Sequence, residues 1–160
     1  MAAGFPNHFD PSNFQTSPFV ERVDKPWGWE LRWTPRDMPY VGKVLHVFEG
    51  HRMSLQMHED KRESWLLING RAKVTWENDR GELEECELEP GHGYSCASGQ
   101  KHRLAGITDC DIIEASTPEI GMTWRLEDDY GRSHETEEER ANASNGARRR
   151  RALVRPPAPD

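Results

Sequence analysis

The sequence predicts an all-β fold, a sandwich or barrel of short strands, and three observations carry that expectation. From Val20 onward, apolar or alternating runs are separated by Gly, Pro, Asn and Asp. Ten such runs fall within about a hundred residues: Trp29 to Trp33, Val41 to Phe48, Met53 to His58, Ser64 to Asn69, Ala72 to Trp76, Leu83 to Leu88, Gly93 to Ala97, His102 to Ile107, Asp111 to Ser116 and Met122 to Leu126. No stretch between them keeps a helical period of any length. Two of the breaks also have turn chemistry, Asn78-Asp79-Arg80-Gly81 between two strands and Glu89-Pro90-Gly91 after another.

With 160 residues the chain fits one domain and a tail. Residues 1–17 read as an irregular arm, since Pro6 and Pro11 interrupt scattered Phe5, Phe9 and Phe14 without any period. Residues 18–132 hold the strands and so the barrel. Residues 133–160 hold Glu-Thr-Glu-Glu-Glu near their start, suited to a short helix, and dissolve into an Arg-rich and Pro-rich end that cannot build a core.

The net charge of −7 argues against general affinity for nucleic acid or an anionic membrane. Arg148 to Arg151 and Arg155 form the one basic cluster, which reads as a solvated tail rather than a binding arm. No apolar run is long enough to span a bilayer and the start lacks the regions of a secretory signal, so a soluble, cytoplasmic protein is expected. Cys86, Cys96 and Cys110 are odd in number and lack Cys-x-x-Cys spacing, which suggests reduced, structural thiols.

Chemistry concentrates between Gly50 and Gly70. Gln56 and His58 are two apart, so on a strand they leave the same face, and Glu63 follows at the start of the next apolar run. The stretch reads as a hairpin converging three polar groups. Further on, the Ala97-Ser98-Gly99 turn delivers His102 onto a new strand as a fourth ligand. An amide, two imidazoles and a carboxylate suit one divalent ion, with zinc placed first and manganese, iron or nickel open.

This arrangement resembles the cupin family. Its first motif is matched by Gly50, Gln56, His58, Glu63 and Gly70, and its second by Ala97-Ser98-Gly99 and His102, with Ala97 where proline is usual. Gln56 stands where most cupins have histidine, which is similar to the cupin domain of type II phosphomannose isomerases. That resemblance runs through Pro26-Trp27-Gly28, Tyr40-Val41-Gly42-Lys43, Ser54-Leu55-Gln56-Met57-His58, Glu63-Ser64-Trp65, Gly70-Arg71-Ala72-Lys73-Val74, His102-Arg103-Leu104, Ile113-Glu114 and Glu127-Asp128-Asp129-Tyr130-Gly131-Arg132. The chain departs from it at Glu59-Asp60-Lys61, where His-His-Arg is common, so two acids are expected beside the ligands and disfavour an anionic group there.

The resemblance implies a cupin-type double-stranded β-helix, here as a stand-alone domain, and a metal-dependent aldose–ketose isomerase acting on a sugar or sugar phosphate through an enediol(ate). A metallocupin oxygenase or lyase on a small acid or dicarbonyl, and a non-catalytic sugar-binding cupin, are the alternatives. Glu114, beside apolar Ile112 and Ile113, is the candidate base, with a structural ion pair as its other reading. Lys43 and Arg103 are candidate cations for substrate oxygens. Arg103 follows His102 directly and so should face away from it, and the register of Lys43 is open. Trp65 and Leu67 should floor the cavity, and Asp128 and Tyr130 should stand at its rim. A homodimer is expected, with the aromatic arm as the exchanged element.

Overall fold

A computed structural model describes Ser12 and residues 14–142. Phe5, Phe9, Pro6 and Pro11 of the arm and Arg148 to Arg151 and Arg155 of the tail lie outside the described residues. Among the described residues, eleven strands form two antiparallel sheets. The first runs β1 (Glu21–Lys25), β2 (Gly28–Arg32), β3 (Val41–Val47), β10 (Cys110–Ser116), β5 (Glu63–Asn69) and β8 (Gly93–Cys96). The second runs β11 (Ile120–Glu127), β4 (Leu55–Asp60), β9 (His102–Gly106), β6 (Ala72–Glu77) and β7 (Leu83–Glu87). From β3 onward every connection except the β6–β7 hairpin carries the chain to the opposite sheet, the winding of a double-stranded β-helix.

Alternation decides which side chains enter the sandwich. On β10, Cys110, Ile112, Glu114 and Ser116 are buried while Asp111, Ile113 and Ala115 are more open. Trp65 and Leu67 on β5, Leu45 and Val47 on β3, Val74 on β6 and Leu104 on β9 complete the apolar core with Trp27 and Leu88. The same alternation places Val41, Lys43 and Leu45 on one face of β3, which settles the register of Lys43 inward.

All ten anticipated runs are strands. The exception is β1, Glu-Arg-Val-Asp-Lys, too charged to stand out in sequence but well suited to a sheet edge that must not recruit another chain. Both turns are as expected. Asn78 Oδ1 accepts from the amides of Arg80 (2.9 Å) and Glu82 (3.0 Å), and Gly81 takes φ +80°. In the second turn the His92 amide donates to the Glu89 carbonyl (3.2 Å), with Gly91 at φ +79°.

One local expectation is corrected. β4 and β5 do not pair as a hairpin: β4 lies between β11 and β9, and β5 between β10 and β8 in the other sheet. Glu63 therefore meets Gln56 and His58 across the interior, because the short link after Asp60 changes sheets.

Gly70, which ends β5, has φ +74°, and a Cβ there would collide with the Asp109 carbonyl oxygen and Cys110. Gly70→Ala is expected to destabilise the protein by about 2 kcal/mol or more, since both strain and overlap oppose the methyl. Chemical denaturation of the variant beside wild type measures it.

Candidate metal centre

Gln56 and His58 point inward from β4, and Glu63 faces them from β5. His102 opens β9, where Gln56↔His102 is the register pair joining β4 to β9. The strand order thus brings all four anticipated residues together. Glu63 Oε1 lies 3.0 Å from His58 Nε2 and 2.9 Å from His102 Nε2. Donor atoms of His58, Glu63 and His102 lie within 4.8 Å of one another, and all three residues are buried.

The outer nitrogens are already engaged. His58 Nδ1 meets Glu119 Oε1 at 2.7 Å, and His102 Nδ1 donates to the Gln100 carbonyl at 2.9 Å with Cys96 Sγ 3.1 Å away. Such contacts hold the proton on Nδ1 and leave Nε2 to face a metal. Glu63 Oε1 and His102 Nε2, although close, form no aligned hydrogen bond and are buried polar atoms without a hydrogen-bond partner. Two imidazole nitrogens and a carboxylate oxygen converging in this state fit a divalent ion, which the cluster could hold. Gln56 stands beside them with its amide nitrogen 3.3 Å from His58 Nε2, while its Oε1 accepts from Ser54 Oγ at 2.8 Å. Its carbonyl would join the donor set only after the amide turns over.

Behind Glu63 lies a chain of alternating charges. Lys61 Nζ donates to Glu63 Oε2 (2.7 Å) and stands 2.9 Å from Glu114 Oε1. Glu114 Oε1 also accepts from Ser116 Oγ (2.8 Å) and lies 3.8 Å from Lys43 Nζ. Lys43 and Lys25 then share Glu30, at 3.2 and 3.3 Å. Glu114 and Lys43 therefore reach the interior beside the ligands. Arg103, next to His102 on β9, is buried, and its guanidinium engages Glu127 Oε2 at 3.0 Å on β11. Trp65 lines the cavity, its ring 5.3 Å from that of His102, whereas Leu67 packs deeper in the core. Tyr130 is half-buried against the core with Arg132 over its ring, and Asp128 clasps Arg132.

The expectation of two acids beside the ligands is corrected. Glu59 turns outward, where its Oε2 accepts from the Met122 amide (2.9 Å), and Asp60 is exposed. Lys61, only 4% exposed, is the member of that trio that enters the site. The sequence reading also missed Glu30, Glu119, Thr123 and Arg125. Thr123 and Arg125 pair across from His58 and Gln56 and so share their inward face. The spacing of Thr123 and Arg125 by two was the available signal; nothing local marked Glu119.

Burial alone would pull the His102 pKa down, but Cys96 and Glu63 push it up to about 9. His58 is also raised: burial opposes its charge, and Glu119 and Glu63 outweigh that. Burial would raise Glu63, yet Lys61 and the two imidazoles hold it well below the usual carboxylate range. Burial likewise opposes Glu119, which His58 and Lys61 hold low. For Lys61, Glu114 and Glu63 overcome burial and raise the pKa.

The fold and the buried cluster define a cupin whose His58, Glu63 and His102 could hold a metal ion. The chain belongs to the mannose-6-phosphate isomerase C-terminal family, whose pattern matches residues 13–132. It is 33% identical over 120 residues to the alginate biosynthesis protein AlgA of Pseudomonas aeruginosa, a match covering 71% of this chain and 23% of that protein. The xanthan biosynthesis protein XanB of Xanthomonas campestris pv. campestris is 33% identical over 119 residues, 70% of this chain and 24% of its own. The chain thus spans about a quarter of the length of these relatives. Among solved structures, an oxalate decarboxylase superposes with TM-score 0.59 at 17% identity, covering 87% of this chain and 38% of its own. The capsular polysaccharide assembling protein CapF of Staphylococcus aureus gives 0.52 at 12% identity, covering 73% and 34%. At these identities both speak to the fold alone.

The pKa directions set a pH window. A His102 pKa raised from 6.5 to about 9 stabilises chelator-treated protein fully below pH 6.5, and that contribution is lost as pH rises through about 9. The depressed Glu63 and Glu119 act with opposite sign, stabilising above their ordinary value of 4.5 and less so as pH falls below it. The thermal midpoint of metal-free protein should therefore fall between pH 6.5 and 9, while affinity for Zn(II) or Co(II) climbs as the imidazoles give up their protons. Calorimetric scans and chelator competition across that range measure both, and an affinity that does not change with pH would contradict the assignment.

Proposed function

We propose that this chain is a metal-dependent aldose–ketose isomerase for a sugar or sugar phosphate, similar in chemistry to mannose-6-phosphate isomerase. The observation that carries it is the convergence of His58, Glu63 and His102 donor atoms beside a buried carboxylate, Glu114, reached through Lys61. Family membership and the relatives named for alginate and xanthan biosynthesis support a sugar as substrate.

His58, Glu63 and His102 would hold the ion, with Gln56 joining once its amide turns. When bound, the ion would supply Lewis-acid polarisation of a sugar carbonyl and its neighbouring hydroxyl. Isomerisation then needs a proton moved from C2 to C1 and another between the two oxygens, with an enediol between. In this reading Glu114 is the base that removes and returns the carbon-bound proton. Lys61 and Lys43 hold that carboxylate and offer N–H donors to the substrate's oxygens. Arg103, engaged with Glu127, would brace the strand carrying Thr123 and Arg125. Zinc is the first candidate ion and manganese the second. A cytoplasmic homodimer is the expected form; no helix among the described residues is long and apolar enough to cross a membrane.

The test is incubation of metal-loaded protein in D₂O with mannose 6-phosphate, fructose 6-phosphate and the free hexoses. Ketose–aldose exchange with solvent deuterium appearing on carbon is expected, and an inert protein would defeat the proposal. Glu114→Gln should lower kcat by roughly 10²- to 10⁴-fold, the usual worth of a general base. His58→Ala should lose metal and activity together, and sugar binding without turnover in wild type would leave a binding module.

A further inference from the structure

The family match ends at Arg132, but ordered contacts with the barrel do not. Glu135 and Thr123 exchange both backbone hydrogen bonds, at 2.9 and 3.0 Å. A capping box follows, in which the Thr136 amide donates to Glu139 Oε2 (2.8 Å) and the Glu139 amide donates to Thr136 Oγ1 (3.2 Å). Residues 137–142 are helical, and that turn carries Arg140 back over β11. Its guanidinium donates to Thr123 Oγ1 and the Glu135 carbonyl, each at 3.2 Å, and to the Gly121 carbonyl. It also lies 3.4 Å from Glu119 Oε1. That oxygen is the one that meets His58 Nδ1 and accepts from the Thr123 hydroxyl.

We infer that the segment after Arg132 is a working part of the metal site, with Glu119 and Arg140 as positioning residues that set the orientation of His58. The inference rests on the metal reading of the cluster. Glu119 holds the imidazole by Nδ1, and so aims Nε2 at Glu63 and His102. A carboxylate in that role has to be held in turn, because a partly buried acid held only by an imidazole and a hydroxyl, with no cation beside it, would swing toward water. Arg140 supplies charge on one side and, through the Thr123 hydroxyl and two backbone carbonyls, a fixed place for that charge. Affinity at the barrel centre is thereby coupled to docking of a segment outside the family's matched region.

A role limited to fastening the helix would also tie Arg140 to β11, so the test must separate the two. Co(II) affinity is measured by chelator competition on the full chain for wild type, Glu119→Gln, Arg140→Ala, Arg140→Lys and the Glu119→Gln/Arg140→Ala double variant. Ring ¹⁵N NMR of metal-free protein, with the imidazoles neutral, reads the His58 tautomer. Glu119→Gln should weaken Co(II) binding about 10- to 100-fold, the usual loss for an outer partner of a ligand histidine. Arg140→Ala should weaken it less, Arg140→Lys should restore part, and the double variant should bind as Glu119→Gln does. His58 should lose its preference for the Nδ1 proton in Glu119→Gln and partly in Arg140→Ala. Multiplying losses in the double variant, or an Arg140→Ala protein with wild-type affinity and tautomer, would overturn the inference while leaving the metal reading intact. Wild type that takes up no Co(II) would overturn both. Should Arg140→Ala fail to fold, Arg140→Lys and Glu119→Gln carry the same comparison.

Discussion

The site depends on how one carboxylate is divided. Glu63 turns Oε1 to the imidazoles of His58 and His102 and gives Oε2 to Lys61. Without Lys61 the carboxylate could rotate both oxygens or take up a proton, and the shared focus of His58 and His102 would be lost. Lys61 is itself buried, a state an ammonium group tolerates only with acids at hand, and Glu114 is its second one. The pattern repeats outward through Lys43 and Glu30 to Lys25. Each charge in this run is flanked by its opposite, and deleting one member would strand its neighbours at a cost of about 3–5 kcal/mol.

The winding of the chain makes that run possible. β4 and β9 belong to one sheet, β5, β10, β3 and β2 to the other, and the charged residues project into the space between. A link that switches sheets turns neighbours in sequence, His58 and Glu63, into partners across the interior. Both imidazoles are then held from behind through Nδ1, one by Glu119 and the other by the Gln100 carbonyl with Cys96 beside it. Backbone and outer side chains thus fix ring orientation, so the geometry of the donor atoms does not rely on His58, Glu63 and His102 alone.

Much of the fold was legible because strand burial has period two and the turns carry Gly, Pro and Asn where φ or chain reversal requires them. β1 escaped because an edge strand protects itself with charge, and charge is also what a loop looks like. The four ligand candidates were legible by spacing and resemblance. Cys96 was read as a structural thiol, and only its 3.1 Å approach to His102 gives it a place at the site. Lys61 was masked by Glu59 and Asp60, its exposed neighbours, until the sheet crossing separated their directions.

By itself, then, the sequence determined the strands other than β1, the positions of their turns and the residue types able to bind a metal, since each of these depends on local spacing. Tertiary structure alone decided which charges go inside. Glu114 is buried because Lys61 and Lys43 arrive from other strands, and Glu119 matters because His58 and Arg140 meet it from either side along the chain. A lysine or glutamate in isolation belongs in water; it stays in the interior when long-range pairing puts its opposite within about 3–4 Å, and no local pattern records that pairing.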